Sequence, residues 1–223
     1  DLEYYTEEQH EIILGSLLGD GQIRFGDGKN PKSSKGRLRL LHGPKEFKYL
    51  KWKTKLLGSH EPRSTSLHCY SDTSSSMEFE RYKCVNKFHS LLDVPDNIIK
   101  KITPLVVAIW FMDDGTYAKE HGGMKYGEGR YSICAKNLSQ DNLNKIASHI
   151  NKIGLGRPIV KAGKGLFWSG REAGNFAEVI RKFIPTCMNH KLNFRYEAEG
   201  DSLKIKKMKL KYKTYYNEII SII

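Results

Sequence analysis

Two stretches of this chain, IILGSLLGDG (12–21) and VVAIWFMDDG (106–115), are apolar runs that stop abruptly at aspartate and glycine. With Asp20 and Asp114 as origins, the sequence that follows repeats in register. Each aspartate precedes a glycine (Gly21, Gly115) and a short strand-like segment. Next comes a Gly-rich polar tip, GDGKNPKSSKG (26–36) or GGMKYGEG (122–129). A second strand follows, RLRLLH (37–42) or RYSICA (130–135), and then a helical pattern, PKEFKYLKWKTKLLG (44–58) or SQDNLNKIASHINKIG (139–154). Both patterns end on a glycine suited to a helix C-cap. Arg63 and Arg157 each lie 43 residues beyond their aspartate. Further strand-like segments occupy 62–83 and 157–169, and a helix then carries Lys87-Phe88 or Lys182-Phe183. Self-similarity at this period means one structural unit built twice. The expectation is α+β: two αββαββα repeats about a pseudo-twofold axis, each with an antiparallel sheet. The N-terminal repeat covers 1–98, and the C-terminal repeat, with a basic tail, covers 99–223.

A lone Asp-Gly pair is ordinarily a turn or a helix stop. Here each pair closes an apolar helix with small residues on it: Gly15, Ser16 and Gly19 in the first, Ala108 in the second. Small side chains let helix backbones approach closely, so the duplication predicts that the two helices meet with their C-termini side by side. A carboxylate there faces the negative end of the dipole, a penalty of about 0.3–1 kcal/mol. Two such carboxylates also repel each other and raise one pKa. A divalent cation between them removes both penalties, and hard oxygen ligands point to Mg²⁺.

The net charge of +12 over 223 residues suggests a polyanionic partner, nucleic acid before an acidic membrane. The longest apolar run, Leu105 to Met112, is far short of the roughly 20 residues that span a bilayer. The N-terminus DLEYYTEEQH is neither a secretory signal nor a transit peptide. Cys69, Cys84, Cys134 and Cys187 form no CxxC pair, which argues against a zinc site and fits reduced, mostly buried thiols. The chain reads as intracellular, in cytoplasm or an organelle matrix, and not secreted. The histidines form no HExxH or His-Asn-His arrangement.

IILGSLLGDG and AIWFMDDG resemble the two copies of the LAGLIDADG motif, and nearly all of residues 8–195 is similar to a single-chain LAGLIDADG homing endonuclease of the intron-encoded type. The resemblance implies motif helices packed at the centre and a DNA-binding saddle of two sheets. It also implies a monomer that makes a Mg²⁺-dependent double-strand break in a long asymmetric DNA site. Mn²⁺ is expected to substitute for Mg²⁺, and Ca²⁺ to bind without supporting cleavage. The last acidic residue of each motif, Asp20 and Asp114, would bind the metals. Gly19 and Asp113 would contribute backbone carbonyls, with Asp113 supporting rather than central. FIPTCMNHKLNF (183–194) is similar to the family's second-half pattern and assigns Lys191 as the basic residue of that site. The same offset in the first half is Asn97, and Leu91, Leu92 and Asp93 stand where the family's lysine precedes a proline. Either Lys100 or Lys101 substitutes, or the half-sites work unequally.

Strand periodicity nominates Gln22, Arg24, Arg37 and Arg39 in the first half and Thr116, Lys119, Arg130 and Ser132 in the second as groove-facing. The major groove is about 12 Å wide and admits a two-stranded ribbon. Later strands offer Arg63, Ser66, His68, Arg81, Lys161, Lys164 and Trp168, while Lys29, Lys32, Lys35 and Lys125 on the tips suit phosphates. Lys45, Lys48, Lys51, Lys53 and Lys55 read as the solvated face of an outer helix. The tail KIKKMKLKYKTYYNEIISII (204–223) is suited to flanking phosphates. Alternatives are an intron RNA maturase, a non-cleaving DNA-binding regulator, and an intein-borne nuclease, for which no splicing cysteine or His-Asn ending is visible.

Overall fold

The computed structural model describes residues 5–25, 35–85, 94–118 and 129–192. Lys29, Lys32, Lys119, Lys125, the Lys87-Phe88 helix, the Leu91–Asp93 segment and the C-terminal tail lie outside them. The first half runs α1 (Glu7–Leu18), β1 (Gln22–Phe25), β2 (Gly36–His42), a 3₁₀ turn at Pro44–Glu46, α2 (Phe47–Leu56), β3 (Arg63–Ser64), β4 (Cys69–Asp72) and a 3₁₀ helix at Met77–Val85. After the short α3 (Asp96–Ile99) come α4 (Pro104–Asp114), β5 (Gly115–Ala118), β6 (Arg130–Cys134), α5 (Gln140–Lys152), β7 (Ile159–Lys161), β8 (Gly165–Trp168) and α6 (Gly170–Ile180). Further 3₁₀ turns span Arg181–Phe183 and Thr186–Lys191. The two four-stranded sheets have orders β1-β2-β4-β3 and β5-β6-β8-β7, antiparallel at every step. One topology is therefore built twice, as the duplicated sequence requires.

Local chemistry explains the boundaries. Thr6 and Gln9 form a capping box at the start of α1, each side chain accepting from the other's backbone N–H. Thr103 caps α4, with Pro104 in the first turn where no N–H is needed. Gly58 and Gly154 end the α2 and α5 regions at φ +61° and +85°, a left-handed step that a Cβ disfavours. Segment 94–99 packs on the second half, where Val94 backbone groups pair with the buried Asn142 amide.

The core is continuous through both halves, and its axis is the α1–α4 pair. Every residue of α4 from Leu105 to Met112 is buried, as expected of a helix apolar on all sides. Close approach depends on Gly15: a Cβ there would lie 2.7 Å from Ile109 Cβ and 2.7 Å from the Val106 carbonyl oxygen.

Two expectations are corrected. The strand-like reading of 62–83 holds for 63–64 and 69–72 only, because Phe79, Tyr82 and Val85 are buried at a spacing of three, the period of a 3₁₀ helix. Of the four cysteines, only Cys69 is buried; Cys84 and Cys134 are exposed and Cys187 is intermediate, all as free thiols.

Gly15→Val should lower the unfolding free energy by about 1–3 kcal/mol through overpacking at the helix seam, read by urea denaturation. Gly43→Ala is the control, since its Cβ meets nothing within 4 Å and no loss of stability is expected.

Candidate functional site

The ends of α1 and α4 bring the two motif aspartates to one region. Asp20 follows the C-cap of α1, and Asp114 is the last residue of α4. The Asp20 backbone N–H donates to Asp113 Oδ2 at 3.2 Å. That contact needs Gly19, because a Cβ at position 19 would lie 2.5 Å from both Asp113 Cβ and Asp113 Oδ2. The Asp20 side chain is 40% exposed. Asp114 lines a small cavity of about 150 Å³ with Leu18, Trp110, Cys134 and Lys136, which ties it to the end of α1. Lys191 closes the site from the other side, donating from Nζ to the Asp113 and Gly115 carbonyl oxygens at 3.2 and 3.1 Å. Burial pulls its pKa below the usual lysine value, against the opposing pull of Glu46, Asp113, Asp20 and Asp114.

Beneath Asp20 lies a buried polar network that crosses between the halves. Lys53 Nζ donates to Asp113 Oδ1 and Oδ2 at 2.8 and 3.0 Å, with both side chains fully buried. Tyr49 Oη donates to Asp113 Oδ1 at 2.7 Å, and its ring lies under the Lys53 ammonium at 4.6 Å. Burial alone would raise the Asp113 pKa. The attraction of Lys53, with His42 and Tyr49 adding to it, prevails and holds the carboxyl below its ordinary value. His42 Nδ1 stands 3.5 Å from Asp20 Oδ2 and 3.3 Å from Glu46 Oε2, close but without an aligned hydrogen bond. His42 Nε2 is 3.5 Å from Lys53 Nζ.

Lys53 is therefore not part of a solvated face. It falls on the buried stripe Tyr49, Leu50, Lys53 and Thr54 of α2, a helical spacing present in the sequence. His42 likewise continues the inward positions Leu38 and Leu40 of β2, so period two marked it. Tyr49 and Glu46 belong to the same missed set.

Ligand atoms of Asp20, His42 and Asp113 all lie within 4.8 Å of one another. Proximity alone does not make them a cation cage. The Asp113 carboxylate is already neutralised by an ammonium at 2.8 Å, which would repel a dication placed between them. The carboxylate of Asp20 is open to solvent and offers hard oxygen ligands, and Asp114 ends the neighbouring helix. His42, with its Nδ1 unbonded and buried beside Asp20, suits orientation of that carboxylate.

The first sheet turns Gln22, Arg24, Arg37, Arg39 and Arg63 to the face opposite the core, since Ile23, Leu38, Leu40 and Cys69 point inward. The second sheet does the same with Thr116, Arg130, Ser132 and Lys161. Lys35 is exposed at the entry to β2. Ser66 and His68 lie in the β3–β4 hairpin turn and Lys164 in the β7–β8 turn, not in strands. Two nominated residues leave the groove-facing set. Trp168 is fully buried, its indole donating to the Leu155 carbonyl, and the outward position on β8 is Phe167. Arg81 lies on the 3₁₀ helix with Nη1 3.4 Å from His10 Nε2, in the first turn of α1 and so at the opposite end of that helix from Asp20.

A family model described as "LAGLIDADG DNA endonuclease family" matches residues 10–170. A protein named Protein RecA from Mycolicibacterium flavescens is 29% identical over 211 residues, 87% of this chain and 48% of that protein. The chain thus spans about half the length of such curated relatives. A protein named DNA endonuclease I-ChuI from Chlamydomonas applanata is 23% identical over 222 residues, 84% of this chain and 95% of its own. Among solved structures, "The homing endonuclease I-WcaI bound to its DNA recognition sequence" shares the fold at a TM-score of 0.67 and 17% identity, over 85% of this chain and 88% of that one. Among the described residues no helix is long and apolar enough to cross a membrane.

The buried pair has a stability consequence. Lys53→Met should lower the unfolding free energy by about 3–5 kcal/mol, because it leaves Asp113 charged and unpaired, and Lys53→Met with Asp113→Leu should recover most of that loss. The Asp113 pKa is lowered on folding, so its contribution is present above the unfolded aspartate pKa and is lost as pH falls through the folded value. Denaturation measured in that acid range should show the wild type losing stability faster than the double variant.

Proposed function

The chain belongs to the LAGLIDADG DNA endonuclease family, and from that premise we propose that it is a site-specific homing endonuclease hydrolysing one phosphodiester on each strand of double-stranded DNA. The observation that carries this reading is the delivery of Asp20 and Asp114 to one region by the α1–α4 pair, with the Lys191 ammonium anchored on the backbone at the end of α4. A divalent cation held by Asp20 and Asp114, Mg²⁺ by their hard-oxygen chemistry, would supply Lewis-acid polarisation of the phosphate and a more acidic water. The chain's own groups do the rest. Lys191 brings positive charge to where phosphorane charge grows. His42 stands beside Asp20 to fix its direction, with Glu46 on the same ring nitrogen.

The two half-sites are chemically unequal. Beneath the Asp20 end lie Lys53, Asp113, Tyr49 and His42, while the Asp114 end borders the cavity with Cys134 and Lys136. The boundary between repeats expected at residue 98 falls within the segment 94–99 that packs on the second half, and monomeric action follows from the internal pseudo-symmetry. Different outward faces on the two sheets make the target asymmetric: Arg24, Arg37, Arg39 and Arg63 on the first, Thr116, Ser132 and Phe167 with Arg130 and Lys161 on the second. A second reading has one observation behind it. Relatives named Protein RecA match 87% of this chain over 48% of their own length, which favours the intein alternative raised by the sequence, a unit of this kind carried inside a longer protein.

Incubation of the chain with a randomised duplex library and Mg²⁺, followed by sequencing of cut ends, tests the reading; short 3′ overhangs in a long asymmetric site are expected, and absence of cleavage counts against it. Asp20→Asn and Asp114→Asn should each abolish cleavage while leaving DNA binding by gel shift largely intact. Lys191→Met should slow single-turnover cleavage by about 10²–10⁴-fold, with little change in binding.

A further inference from the structure

On the outward face of the first sheet, Gln22, Arg39 and Asp72 stand directly opposite one another on β1, β2 and β4. Arg39 Nε donates to Asp72 Oδ1 and Nη2 to Oδ2, both at 2.7 Å. The guanidinium also lies over the Tyr70 ring, Cζ 5.6 Å from its centroid. Both side chains of the pair are partly open to solvent, at 28% and 22%. A guanidinium carries five N–H donors in one rigid plane. The side-on fork uses the Nε–H and one Nη2–H. The end-on edge, with one N–H from each Nη, has no partner among the described residues. Asp72 is held below the ordinary aspartate range by its hydrogen bonds from Arg39, so the pair stays ionised through neutral pH.

An aspartate on a face expected to meet phosphates is unfavourable by itself, and a surface pair contributes little to stability. Its consequence is direction. An arginine without such a brace swings between bases and phosphates, whereas this one is fixed by a carboxylate on one edge and a ring on one face. Two parallel donors match the O6 and N7 acceptors of guanine, and no other base presents two acceptors to the major groove in that geometry. We propose that Arg39, braced by Asp72, reads a single guanine in the first half of the target, with Asp72 as a positioning residue that determines specificity without touching DNA. The corresponding row of the second sheet, Thr116, Ser132 and Phe167, carries no charge, so this guanine has no symmetric counterpart. The proposal rests on the DNA-endonuclease reading above.

The test is selection of bound duplexes from a randomised library by the full chain in Ca²⁺, for wild type, Asp72→Ala and Arg39→Lys, with thermal melting run alongside. Wild type should enrich a site containing one strongly preferred guanine. Both variants should lower discrimination at that base pair by on the order of 10–100-fold, as expected for one bidentate arginine–guanine contact, leaving other positions and melting unchanged. Asp72→Asn, which keeps the shape and one acceptor, should fall between. If Asp72→Ala weakens binding equally for all sequences, the pair is only structural and the proposal fails. If it sharpens guanine preference, Asp72 competes with DNA and the proposal fails as well. If wild type enriches no sequence, the endonuclease reading itself falls, and this inference with it.

Discussion

The structure depends on how closely α1 and α4 can approach. Gly15 removes the atom that would strike Ile109 and the Val106 carbonyl, and Gly19 removes the one that would strike Asp113. Close packing of this kind is stiff, because a methylene more or less displaces neighbours that are already in contact. The two sheets hang from the ends of these helices, so their relative placement follows from the seam. The same contact brings Asp20 and Asp114 to one region. Scaffold and chemistry therefore share a single constraint.

The seam is also where the two halves stop being copies. In the first motif the residue before the aspartate is Gly19; in the second it is Asp113, whose carboxylate fills the space that Gly19 leaves open. Lys53 and Tyr49 of α2 then complete its hydrogen bonding. A fully buried ion pair is tolerated only when its remaining polar atoms are bonded, and here the tyrosine, the two lysine contacts and the Asp20 amide meet that condition. The result is an asymmetric foundation beneath a pseudo-symmetric pair of carboxylates.

Much of this was legible in the residues. Register over so many landmarks yielded two sheets of one topology, and the glycines at 58 and 154 end their helices as their positions imply. Alternation on β1 and β2 placed Arg24, Arg37 and Arg39 outward. It failed where the period was misjudged. Phe79, Tyr82 and Val85 repeat at three and not two, which moved Arg81 off the sheet. On β8 the alternation itself runs Leu166 in, Phe167 out and Trp168 in, so Trp168 is core and Phe167 faces out. Lys53 was misread because five lysines on one helix look like a solvated face, although its spacing with Tyr49 and Leu50 placed it on the buried stripe. Only the tertiary fold shows that Asp113 waits there to receive it.

The Lys53–Asp113 contact also acts as a pairing code between halves. Two copies of the first half, brought together on the same seam, would set each buried Lys53 against a glycine in place of its carboxylate. Two copies of the second would set Asp113 against Asp113. Each homotypic assembly leaves buried charge unpaired, a penalty of several kcal/mol, whereas the native combination satisfies it. Discrimination of this sort works through what it forbids. A unit that arose by duplication has in this way given up its interchangeability: its halves have become complementary parts, and exchanging one requires carrying Gly19, Tyr49, Lys53 and Asp113 together.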